Sequence, residues 1–172
     1  MDQDWLAQAV VREAPEAIVV SDPNGIIALW NGGAERVFGY PAAEALGQSL
    51  DLIIPDKQRG RHWAGYDAAM ATGETKYGDA LLQVPATHRD GRRLSLEFSV
   101  ALLRDADGKI AGIAAMIRDA TERWAGDREL RARLAEAERR LSELTEPASP
   151  LTGPASPAGP RGASGPGGAT TG

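Results

Sequence analysis

The spacing of hydrophobic positions changes several times along the chain, and each change marks an element. Trp5, Leu6, Ala9 and Val10 recur at helical spacing, and the pattern breaks before Pro15, because the residue preceding a proline avoids the helical region. This predicts an N-terminal helix over 1–12. AIVVSDPNGIIALWN then carries two β-branched runs separated by Asp22-Pro23-Asn24-Gly25, a hairpin signal in which proline presets φ and Asn-Gly tolerates positive φ. Asn31 is placed to cap GGAERVFGY, whose Ala34, Val37 and Phe38 form a short apolar stripe ending at Gly39. PAAEALG and SLDLIIP are two further short pieces. From Asp56 to Ala71 the pattern lengthens into a full helix stopped by Thr72-Gly73, with Arg59 and Arg61 outward and His62, Tyr66 and Ala69 near a common face.

The period then drops to two. Residues from about Tyr77 to Ala86 read as extended, Arg89 to Arg92 turn, and RLSLEFSVALLR places Leu94, Leu96, Phe98 and Val100 on one face. After a turn at Asp105 to Gly108, KIAGIAAMIRD sets Ile113, Ala115 and Ile117 on one side, and helical spacing returns at Thr121. Two strands, several helices, three strands and a final helix imply an α+β protein, an antiparallel sheet with helices over one face.

In that final helix Leu130, Leu134, Ala137, Leu141 and Leu144 follow a heptad seam flanked by Arg and Glu, over about two heptads. The seam is read either as a dimer contact or as a face packed on the helix's own domain. Beyond Glu146 the text becomes Pro/Gly-rich, with one large apolar residue, Leu151, and such a segment buries too little to offset chain entropy. Residues 147–172 are therefore expected to be a disordered tail.

Composition narrows the chemistry. The 172 residues contain no cysteine, which excludes disulfides, thiolate metal sites and cysteine nucleophiles. The net charge of −5, with no basic cluster backed by aromatics, gives little support to nucleic-acid or anionic-membrane binding. No apolar run approaches ~18 residues and the N-terminus lacks a basic leader, so a cytoplasmic protein is expected. His62 and His88 fall on different elements, no phosphate-cradling glycine loop occurs, and Asp105 and Asp107 sit in a turn. An enzyme is not expected.

EAIVVSDPNGIIALWNGGAERVFGYPAAEALGQSL, HRDGRRLSLEFSV and GIAAMIRDATER, taken together, resemble the PAS domain, the small sensor module of bacterial signalling proteins. The resemblance spans 13–123, leaving 124–146 as an amphipathic signalling or dimerisation helix. It implies a five-stranded antiparallel sheet, order 2-1-5-4-3, with helices enclosing a ligand pocket. It also implies roles: Asn31 ties the first connecting helix to the strand before it, and Asp119 and Thr121 form the junction of the last strand with the outgoing helix, with Ala120 between them where the family usually has an apolar β-branched residue.

Within the family, RHWAGYDAAMATGE resembles the haem-binding PAS domains of oxygen-sensing histidine kinases, and His62 falls on their iron-ligand position. Two departures stand out. Leu82 occupies the position of the distal arginine, and the tyrosine that usually follows the ligand by three residues is Tyr66, four residues on. If haem b is bound, Leu82, Phe98 and Val100 would line an apolar distal side, with Tyr77 or Met116 the nearby groups able to donate or ligate. Such a pocket suits carbon monoxide, nitric oxide or redox sensing better than stable oxygen binding. His62 is otherwise a scaffold residue, or the pocket takes another small apolar ligand. Two functions follow: a ligand-gated sensor that signals through the C-terminal helix, or a ligand-free dimerisation or docking adaptor for a histidine kinase or transcription regulator. Both expect a homodimer through Leu130, Leu134, Leu141 and Leu144.

Overall fold

The computed structural model describes residues 2–75 and 80–145. Tyr77 and the tail 147–172 lie outside the described residues. The chain divides into two compact units, Met1–Arg133 and Leu134–Gly172.

The first unit is built on one sheet. Its strands are β1 (Ala17–Ser21), β2 (Ile27–Trp30), β3 (Leu82–Thr87), β4 (Arg93–Arg104) and β5 (Ile110–Asp119), in the order β2-β1-β5-β4-β3 and antiparallel throughout. The fold class and strand order match the expectation. β3 begins later than the apolar pattern suggested, and Leu81 stands exposed before it. Pro85 sits within β3, which is compatible with an edge strand because proline cannot donate to a ladder on both sides.

Alternation divides the sheet into two faces. The inner face carries Ala17 and Val19 on β1, Ile117 on β5, Leu94 and Leu96 on β4 and Ala86 on β3, all in the core. Over it lie α2 (Gly32–Phe38), α3 (Ala42–Ala45), a 3-10 turn at Leu50–Leu52 and α4 (Asp56–Thr72). Phe38, Ile27 and Leu94 are fully buried. Phe38 packs against Trp30 with ring centroids 5.2 Å apart, and the Trp30 indole donates to the Tyr40 carbonyl. An aromatic buried in this way contributes roughly 2–3 kcal/mol.

Local chemistry sets the turns. In the β1–β2 hairpin the Asp22 carboxylate accepts from the backbone N–H groups of Asn24 and Ile26, and Gly25 takes φ 75°. α2 needs Gly33, because a Cβ there would lie 2.0 Å from the Glu16 carbonyl oxygen. α4 ends on Gly73 in the left-handed region. One surface position differs from expectation. Arg59 does not extend freely into solvent but folds back along the surface, donating to the carbonyls of Ile54 and Asp51 and pairing with exposed Asp56.

Two helices flank the sheet in sequence. α1 (Gln3–Glu13) starts on an Asp2 cap and has no buried residue. α5 spans Thr121–Thr145, and Leu130, Leu134, Leu141 and Leu144 are all exposed along it. No helix among the described residues is long and apolar enough to cross a membrane.

Candidate functional site

α4 brings His62, Trp63 and Tyr66 together. Tyr66 lies one turn beyond His62, and residues seven apart fall on one line of a helix, so His62 aligns with buried Ala69 and Trp63 with Met70. The Trp63 indole donates to the Asp51 carboxylate, and its ring covers Gly25, where a Cβ would lie 2.3 Å from the ring carbons. Tyr66 donates its hydroxyl proton to the Asp22 carbonyl and shares a 2.9 Å hydrogen bond with Ser21 Oγ. The helix is therefore tied to the hairpin end of the sheet by one phenol.

His62 is the unusual member of the group. Its ring meets Trp63 edge-on at 4.9 Å and Tyr66 at 5.8 Å, and its Nδ1 is buried with no hydrogen-bond partner. Burial holds the imidazole below its ordinary pKa, with the Asp51 charge acting in the opposite direction, so the ring is neutral at neutral pH. Burial likewise raises the Tyr66 hydroxyl. A neutral imidazole with an open buried nitrogen is the form that ligates a metal. The residues present fit haem b at the donor end, with His62 as the holder and no competing partner to displace.

The inner sheet face supplies an apolar floor. Phe98, Ile113, Ala115 and Val84 pack at the border of the core. Leu82, opposite Phe98, and Val100, opposite Ala115, continue the same face and are only half-buried. Leu82, Phe98 and Val100 thus share one stretch of the inner face. Met116 is not with them. It pairs with Ile18 and Ser99 on the outer face and is 38% exposed, because alternation puts it opposite in sense to Ala115 and Ile117. A separate open groove of about 430 Å³ at the end of α4, lined by Met70, Arg104 and Lys109 among others, does not include His62. Among the described residues no cluster of three or more His, Cys, Asp or Glu could hold a metal ion.

Asn31, Asp119 and Thr121 each join neighbouring elements by side-chain hydrogen bonds. Asn31 caps α2 through Ala34 N–H, accepts from Ile18 N–H, and donates to the carbonyls of Val11 and Glu16. At the start of α5 the Asp119 carboxylate accepts from the Thr121 N–H and hydroxyl, and Thr121 Oγ1 accepts from Ser95 N–H at 2.9 Å. Arg118 pairs with Glu16 at 2.8 Å, so the segment entering β1 and the segment leaving β5 are bridged at one end of the sheet. Sequence reasoning missed Ser21, a buried hydroxyl on the inner face, and Glu97, a buried carboxylate on the outer one. For Glu97 a signal existed in Trp124, a large aromatic where the surrounding helix is strongly polar.

The sheet order and the helices over its inner face are those of a PAS domain. A family model described as the PAS fold matches residues 6–120, and the chain belongs to that family. The Sensor protein FixL of Bradyrhizobium diazoefficiens is 29% identical over 134 residues, covering 78% of this chain and 25% of that protein. The Oxygen sensor protein DosP of Escherichia coli is 24% identical over 113 residues, covering 66% of this chain and 14% of that protein. The chain therefore spans a quarter or less of the length of these curated relatives. Among solved structures, a PAS domain from Colwellia psychrerythraea superposes with a TM-score of 0.63 at 22% identity, covering 70% of this chain and 99% of that one. An RNA-binding light-oxygen-voltage receptor gives 0.65 at 23% identity, covering 77% and 37%. At these identities the structures speak to the fold alone.

Proposed function

We propose that this chain is a non-catalytic, cytoplasmic sensor module that takes up a small apolar ligand between α4 and the inner sheet face, with haem b held by His62 as the specific candidate. The observation that carries the reading is the buried, unpartnered Nδ1 of His62, on the α4 face that also presents buried Tyr66 and Ala69. The resemblance of RHWAGYDAAMATGE to haem-binding PAS domains, and a relative named an oxygen sensor, support it. Bound haem iron would supply a site for a diatomic gas or a redox couple.

The chain's own residues do the rest. His62 stays neutral through burial, so it binds without first losing a proton. Leu82, Phe98 and Val100 exclude water, and Leu82 offers no hydrogen bond to a bound gas, which favours carbon monoxide, nitric oxide or redox sensing over stable oxygen binding. Tyr66 couples movement of α4 to Asp22 and Ser21. The response leaves through Asp119, Thr121 and α5 to a histidine kinase or transcription regulator, with Leu130, Leu134, Leu141 and Leu144 as a homodimer seam.

The test is an absorption spectrum of the purified protein before and after adding haemin, beside His62→Ala. A sharp Soret band lost in the variant supports the assignment. A band unchanged in His62→Ala overturns His62 as the ligand. No specific binding, with a dimer still present, favours the second reading, a ligand-free dimerisation or docking adaptor. The four exposed leucines of α5 support that reading.

A further inference from the structure

Glu97 stands on β4 between Leu96 and Phe98, so alternation directs it to the outer face, where a glutamate is ordinarily solvated. It is only 5% exposed. Its Oε1 receives the Trp124 indole N–H at 3.1 Å, the Gln83 amide at 3.2 Å and the Arg123 guanidinium. Two of these donors belong to the first turn of α5 and the third to β3. A buried charge with one partner removed is costly, so the cluster persists only while the helix lies against the strand.

The Asp119–Thr121 cap holds α5 at Ser95, through Thr121 Oγ1 and the Ala120 N–H. One point of attachment leaves a helix free to swivel. Glu97 lies two residues further along β4, about 6.8 Å away, and it grips the helix three residues beyond Thr121. A second point fixes a direction.

We infer that Glu97 is the positioning residue for the outgoing helix: through Arg123 and Trp124 it sets the direction in which α5 leaves the sheet, and through Gln83 it links that direction to β3. The β3–β4 register places Gln83 opposite Glu97 on the outer face and Leu82 opposite Phe98 on the inner one. A displacement of β3 from the inner side therefore moves Gln83, and with it the carboxylate under α5. The clamp itself does not require an occupied pocket, so it stands or falls separately from the haem assignment.

Amide hydrogen exchange on the full chain tests it, with Glu97→Gln, Glu97→Ala, Arg123→Ala and Trp124→Phe. Exchange in the first turns of α5 is expected to rise roughly tenfold in Glu97→Ala and less in Glu97→Gln, which still accepts from the indole. β1 and β5 should keep their protection. The double variant Glu97→Ala/Trp124→Phe should raise exchange by less than the two single changes combined, because both break one contact. Since the chain has no cysteine, nitroxides at Ala101→Cys and Glu129→Cys report direction: a narrow distance distribution should broaden in Trp124→Phe. Unchanged α5 exchange in folded Glu97→Gln and Trp124→Phe would overturn the inference. A rise spread equally over sheet and helix would overturn it too, leaving Glu97 a stability residue only.

Discussion

His62 and Tyr66 stand one turn apart on α4 with ring centroids 5.8 Å apart, and their polar atoms are treated oppositely: the tyrosine hydroxyl has two partners, while the buried Nδ1 of His62 has none. Tyr66 does the work of holding the helix. His62 is left available.

His62→Ala should therefore remove any bound chromophore while changing unfolding free energy by no more than about 1 kcal/mol, since no hydrogen bond is lost with the ring. Far-UV circular dichroism and urea denaturation check the fold. A collapse of stability would make His62 a core residue.

Stability should also depend on pH through the same ring. Burial lowers the folded-state pKa of His62 below 6.5, so above that pH both folded and unfolded imidazoles are neutral and stability is full. As the pH falls below 6.5 the unfolded chain binds a proton that the folded chain excludes, and stability declines until the folded-state pKa is passed. Urea midpoints at pH about 7.5 and about 5.5 should differ more in the native chain than in His62→Asn.

Tyr66→Phe should cost about 1–2 kcal/mol, because Ser21 Oγ loses its partner and the Asp22 carbonyl loses one of its two donors, the Gly25 N–H remaining. Ser21→Ala added to it should cost little more, since the hydroxyl pair is already broken. Full additivity of the two changes in urea denaturation would show that they do not share one interaction.

Asn31→Ala should be more severe, at about 2 kcal/mol or above. It removes a helix cap and leaves the Ile18 N–H and two backbone carbonyls without their partner. Asn31→Asp keeps both accepted bonds and loses both donated ones, so its unfolding midpoint should fall between those of the native chain and Asn31→Ala.

Leu134→Glu with Leu141→Glu should lower the dimer fraction in sedimentation equilibrium without altering the sheet signal in circular dichroism, because both side chains are exposed on α5. An unchanged oligomeric state would remove the seam from the mechanism.

Elements and their faces are legible in the order of the residues, because period and turn chemistry are local. The Asp22–Gly25 hairpin, the Asn31 cap, the inward set Leu94, Leu96, Phe98 and Val100, and the Asp119–Thr121 junction all rest on residues within a few positions of one another or on simple alternation. The same alternation sends Met116 outward, against its assignment to the pocket, since a thioether's chemistry does not alter the parity of its position. Burial across elements, by contrast, follows from contacts between segments far apart in the chain. Glu97 reads as a solvated strand position until Trp124, 27 residues on, folds over it. Ser21 becomes a helix anchor only because Tyr66 reaches it from 45 positions away. Arg59 bends back along the chain because the carbonyls of Asp51 and Ile54 lie beside it, while its side chain stays partly exposed. Whether a polar side chain is solvated or enclosed depends on what distant chain covers it, and no local spacing carries that information.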